Sequence, residues 1–202
     1  MKKKYKLTEE ALEIDGHVLH RIIALRDFGE VKKGYLGGFI EKESNLAHNG
    51  NCWIYNDAVV SDFARVFEEA RVCGKARVFG EARVCGKARV FGEAEVYGKA
   101  EVFGKARVFE EAEVYGEARV YGEARVCNNA VIKNMSDYIV FKNWWSSGKY
   151  FTWTRSNDMW TVGCFYGTGE ELIKKAYADN EEKGREYERV VKYVESIKQE
   201  LK

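Results

Sequence analysis

The chain has 202 residues, 46% of them hydrophobic, enough to bury the core of one large domain or two small ones. With 33 Lys plus Arg against 32 Asp plus Glu, the formal charge is +1, so nothing in the overall balance calls for long nucleic acid or an anionic membrane. Proline is absent, which excludes proline-rich linkers; no apolar run is long enough for a signal peptide or a membrane span, and the five cysteines lack C-x-x-C spacing, so the expected location is a reducing cytoplasm.

Residues 1–50 read as an N-terminal cap. His17 to Leu25 is a strand-like run, and the glycine-rich stretch Gly34 to Ile40 leads into Cys52-Trp53-Ile54. An open sheet edge exposes unpaired backbone groups, and a cap would cover it. His17 and His20 are expected as side chains on one face of a cap strand.

Residues 51–136 are dominated by self-similarity. From Ala64 the sequence runs ARVFEE, ARVCGK, ARVFGE, ARVCGK, ARVFGE, AEVYGK, AEVFGK, ARVFEE, AEVYGE, ARVYGE, ARVCNN, eleven tandem hexads through Asn129, and the aliphatic phase extends from Ile54 to Ile132. Within a hexad Ala and Val alternate with Arg or Glu and with an aromatic or Cys, and a Gly-charged pair follows: strand periodicity closed by a turn. Three such short faces complete a coil of 18 residues, which predicts an all-β left-handed parallel β-helix of between four and five coils.

Positions 18 apart then stack. One outward column is Arg71, Arg89, Arg107 and Arg125, beside Cys73, Phe91, Phe109 and Cys127. A second is Arg77, Glu95 and Glu113 beside Phe79, Tyr97 and Tyr115. A third is Arg65, Arg83, Glu101 and Arg119 beside Phe67, Cys85, Phe103 and Tyr121. Stacked guanidinium groups repel, so the arginine column calls for a counter-charge. Three sources are open: turn carboxylates of the same chain, the Glu95 and Glu113 face of a neighbouring subunit, or an anionic ligand gripped by Arg71, Arg89, Arg107 and Arg125. The aromatic ladders, Phe91 with Phe109 and Tyr97 with Tyr115, are expected to pack between subunits of a homotrimer.

Residues 137–202 read as a small α+β domain. Tyr138 to Phe141, Lys149 to Thr154 and Met159 to Cys164 are strand-like, with a turn at Ser156-Asn157-Asp158. Thr168 and Glu171 make a capping box for a helix through about Ala178. A second helix runs from about Gly184, with Tyr187, Val190, Val194, Ile197 and Leu201 three and four apart. Gly167-Thr168-Gly169 opening that helix could bind an anion through free backbone amides, but it lacks the Walker lysine pattern and a full G-x-G-x-x-G, and the cap is the favoured reading. Trp144 and Trp145 adjoin the polar loop Ser146-Ser147-Gly148-Lys149, and Arg155 follows Trp153 across the hairpin. Trp144, Lys149, Trp153 and Arg155 are therefore the candidates for a ligand pocket here.

The segment GGFIEKESNLAHNGNCWIYNDA, the tandem hexads and the tail SDYIVFKNWW, TWTRSNDMWTVGCFYGTGEELIKKAY and GREYERVV together resemble a family of hexapeptide-repeat proteins carried by phages and prophages of Gram-positive bacteria. Members of that family generally have no assigned activity. The resemblance implies a phage context and, by analogy with accessory phage proteins that disarm bacterial immunity, capture of a nucleotide-like host signal or of a host defence protein.

Left-handed β-helix proteins include acyltransferases and zinc carbonic anhydrases, and both chemistries need histidine. The three histidines, His17, His20 and His48, all precede the first tandem hexad, and no loop interrupts the coils. No catalytic residue, metal or cofactor is expected. The functional expectation is a non-enzymatic oligomeric binding protein. A seam-acting acyltransferase, a direct inhibitor of a host protein and a structural spacer are the alternatives.

Overall fold

A computed structural model of the chain describes residues 3–200, and Leu201 of the expected terminal helix lies outside them. The repeat folds into a left-handed parallel β-helix of about five coils. Strands β1 (Tyr5–Ile14), β2 (His17–Ala24) and β3 (Leu36–Ile40) come first. Fourteen two-residue strands follow, from β4 (Trp53–Ile54) through β17 (Val131–Ile132), one per hexad. They stack into three sheets, β5-β8-β11-β14-β17, β4-β7-β10-β13-β16 and β6-β9-β12-β15, and each strand pairs in parallel with the one 18 residues away.

Physical chemistry fixes this geometry. Each hexad places its Ala and Val inward, and Ala70 to Val126 of this series are fully buried. A buried valine contributes about 1.5 kcal/mol or more, and the ladder repeats that gain every six residues. At every sixth position from Asn56 to Asn128 the backbone turns through positive φ. Glycine fills most of these sites, and at Gly92 an added Cβ would stand 2.7 Å from the backbone nitrogen of Glu110 in the next coil.

The cap joins the prism by continuing one of its sheets. β1, β2 and β3 are antiparallel to one another, and β3 pairs in parallel with β5, Phe39 with Val59 and Ile40 with Val60. The first coil thereby loses an open edge. Tyr5 and Phe28 pack edge-on against buried Trp53, and buried Lys4 donates to the carbonyl oxygen and the sulfur of Cys52 at 2.9 and 3.2 Å. β1 was not anticipated: its charge-rich sequence YKLTEEALEI hides the strand, and a register shift between Leu7 and Ala11 interrupts its pairing with β2.

The chain divides into two units, Met1–Asp137 and Tyr138–Lys202. The second is an antiparallel meander of β18 (Tyr138–Lys142), β19 (Tyr150–Thr154), β20 (Met159–Val162) and β21 (Phe165–Gly167), with α1 (Gly169–Asp179) and α2 (Glu181–Glu200). Phe151, Trp153, Trp160, Leu172, Tyr187 and Val194 form its core. The capping box at Thr168 and Glu171 is present in both directions. Two boundaries differ from the expectation. Gly163, at φ 61°, breaks the predicted third strand, so that Phe165 begins a fourth. Asn180 accepts the N–H of Lys183 at 2.8 Å, which starts α2 three residues before Gly184. Among the described residues no helix is long and apolar enough to cross a membrane.

Candidate functional site

The arginine column is real: Arg71, Arg89, Arg107 and Arg125 are successive Cα partners. Beside it Phe91 and Phe109 stack at 4.9 Å and 2°. Phe79, Tyr97 and Tyr115 make a second stack at 4.8 and 4.9 Å, and Phe103 lies 5.2 Å from Tyr121. These spacings lie within a few tenths of an ångström of the ~4.8 Å separation of neighbouring strands, so one coil step sets each ring upon the next.

Carboxylates of the same chain meet Arg71 of that column and arginines of the other two. Glu30 of the cap meets Arg71 at 2.8 Å and raises its pKa, and the Arg71 guanidinium holds the Glu30 carboxyl below the usual range. Glu101 sits between Arg83 and Arg119, 3.1 Å from each. Glu95 pairs with Arg77 at 3.2 Å, and Glu113 accepts the Tyr97 hydroxyl at 3.0 Å. Glu95 and Glu113, whose face on a neighbouring subunit was one of the three open sources of counter-charge, are engaged within their own face. Arg89 and Arg107 make no ion pair among the described residues. Arg89 also borders a cavity of about 210 Å³ with Arg71, Lys87, Glu30 and Glu69, in which cations and carboxylates are mixed.

A larger cavity lies in the second unit. It measures about 530 Å³ and is lined by Phe141, Lys142, Asn143, Trp145, Glu186, Arg189 and Val190. Asn143 organises it. This residue is buried, its side-chain carbonyl accepts the N–H groups of Trp145 and Ser146, each at 3.0 Å, and its amide donates to Ser146 Oγ at 3.0 Å and Glu186 Oε2 at 3.3 Å. An Asx turn of this kind fixes the loop and ties it to α2. Trp144 and Trp145 are left 70% and 81% exposed. The Lys142 ammonium stands 3.8 Å over the Trp144 ring.

The structure separates the four residues singled out from the sequence of this unit. Trp144 adjoins the cavity through Lys142. Lys149 is exposed and lies along Gly163, and Arg155 is exposed; neither lines the cavity. Trp153 is 1% exposed, with its indole N–H bonded to Asp158 at 2.8 Å. As a core side chain it offers no surface to a ligand, which corrects its place among the candidates. The residues missed were Lys142, Asn143, Glu186 and Arg189. The spacing of three between Glu186 and Arg189 put them on one helix face, but nothing in the sequence placed that face beside the tryptophan loop.

The histidines stay in the cap. His48 accepts the Lys4 N–H at 3.2 Å and stacks on Tyr5 at 4.4 Å, and His20 lies 3.2 Å from the Thr8 carbonyl. His17 is 3.5 Å from Glu41 and 3.3 Å from Asp62.

No family model matches the chain. An uncharacterized acetyltransferase of Escherichia coli (strain K12), YdcK, is 40% identical over 67 residues. The match takes in 29% of this chain and 21% of that relative, so the chain spans about a fifth of the curated protein that it is similar to.

Proposed function

We propose that this protein is a non-enzymatic binding module, a homotrimer whose second unit captures a small anionic ligand with an aromatic part. The carrying observation is the cavity of about 530 Å³, which has an apolar wall of Phe141, Trp145 and Val190 and two cations, Lys142 and Arg189. Its volume lies within the range of small-molecule sites, and such sites combine apolar walls with a few placed polar groups. An indole stacks on a base or ring, and a guanidinium grips phosphate or carboxylate. Capture without turnover is the reading because the cavity wall carries no histidine or cysteine, and its one carboxylate, Glu186, is engaged by the Asn143 amide at 3.3 Å.

The resemblance to phage hexapeptide-repeat proteins extends the proposal to a nucleotide-like host signal as the ligand. Calorimetry with cyclic and linear nucleotides, followed by denaturation and chromatography, tests it. Stoichiometric binding with intact recovery is expected, and Arg189→Ala should weaken it roughly tenfold or more, the usual cost of a charge-assisted contact. A chemically altered ligand contradicts capture.

A second reading, acyl transfer at a subunit seam, is favoured by the partial similarity to YdcK. Incubation with acetyl-coenzyme A and amine acceptors separates the two, since only the transferase releases free thiol.

A further inference from the structure

We propose a divalent transition-metal site, of the zinc type, formed by His17, Glu41 and Asp62, which clamps the cap onto the first coils. The three residues come from three segments: His17 opens β2, Glu41 follows β3, and Asp62 is the left-handed residue of a coil turn. One donor atom from each lies within 4.8 Å of the others. Donors around tetrahedral zinc stand ~3.4 Å apart, given bonds of ~2.0–2.2 Å. Side-chain shifts of about 1 Å therefore close the set.

Both carboxylates are already held in place. Glu41 Oε2 accepts the backbone N–H of Asp62 at 2.5 Å, and Asp62 Oδ2 accepts that of Gly80 at 2.8 Å. Asp62 keeps Oδ1, 3.3 Å from His17 Nε2, for a cation, and Glu41 Oε2 faces His17 Nδ1 at 3.5 Å with a lone pair beyond its backbone bond, while Glu41 Oε1 stands 4.0 Å from the Lys42 ammonium, which a bound cation would displace. All three side chains are between about a quarter and a little over a third exposed, so a cation can enter from solvent. His17 and Asp62, though not Glu41, also line a cavity of about 150 Å³ whose one cation, Arg77, is paired with Asp15 and Glu95, and it leaves room for the water that completes a coordination sphere with three protein ligands. One imidazole with two carboxylates favours zinc or a neighbouring transition ion over magnesium or calcium, which prefer an all-oxygen set.

The alternative is an imidazole ring bridging two carboxylates with no metal. The test uses the full chain stripped with chelator, titrated with Zn²⁺ by calorimetry and with Co²⁺ by visible absorption. One Zn²⁺ per chain is expected, with an upward shift in melting temperature and no displacement by equimolar Mg²⁺. His17→Gln should weaken binding at least tenfold, and His20→Gln should not. If His17→Gln fails to fold, Glu41→Gln and Asp62→Asn keep the hydrogen-bond acceptors and must show the same loss. Absence of stoichiometric Zn²⁺ uptake overturns the site, as does uptake that survives His17→Gln or a Co²⁺ spectrum with thiolate charge transfer.

Discussion

Glu110 Oε2 accepts the backbone N–H of Asn128 at 3.0 Å, so that a side chain in one coil caps the turn of the next, 18 residues on. Glu110 occupies a left-handed turn position that glycine holds in most other hexads, at φ 61°. Glu68 and Asp62 do the same, bonding the N–H of Gly86 at 2.6 Å and of Gly80 at 2.8 Å. The two hexads that read EE instead of GE or GK are therefore explained: the strain of a non-glycine residue there is offset by a charge-assisted bond between coils.

This predicts an order of stabilities. Glu110→Ala keeps the strain and loses the bond, whereas Glu110→Gly loses both. Urea melts should place the alanine variant below the glycine variant by about 1 kcal/mol. Equal stabilities would mean that position 110 is not strained.

Val96 is fully buried near the middle of its ladder, between Val78 and Val114. Val96→Asp buries a carboxylate with no donor and should cost several kcal/mol, read as a large drop in melting temperature or loss of soluble protein. An unchanged melt would refute the inward phase of the hexads.

Tyr97 is predicted to make the fold alkali-sensitive. Burial and the hydrogen bond to Glu113 push its pKa from 10.0 up to about 12. The folded state then keeps a proton that the unfolded chain gives up, so this contribution is complete below pH 10 and disappears as the pH rises toward about 12. Stability measured across that window should fall less steeply in Tyr97→Phe than in the unaltered chain.

The trimer proposal rests on the ladders and is testable at two positions. Phe91→Asp with Phe109→Asp should give smaller species in sedimentation. If the double variant keeps the size of the parent, the contact lies elsewhere.

How much of this was legible in sequence follows from where the determinants lie. The prism was fully readable, because a six-residue period with buried Ala and Val writes each contact 18 residues from its partner, and Arg89 opposite Arg107 follows by counting. β1 was not, since its partner is an antiparallel strand and its own alternation is broken at the bulge. The cavity of the second unit was half visible. Trp145 stood out as an indole beside a polar loop, but its opposite wall comes from α2, 41 residues from Trp145 to Glu186, and no periodicity links them. Trp153 was misread for the same reason: hairpin alternation does not reveal which face the helices cover. His17, Glu41 and Asp62 meet only because β3 extends the prism sheet at β5.

Capture in the second unit is open to native mass spectrometry of the protein recovered from cells, with Trp145→Ala as the control. Trp145 is exposed and its loss should not alter folding, so a change in ligand content reports the cavity alone. A trimer that retains one small anion per chain, released intact on denaturation and absent from the variant, is expected. A trimer with the same adduct in both proteins, or no adduct in either after incubation with nucleotides, would contradict capture.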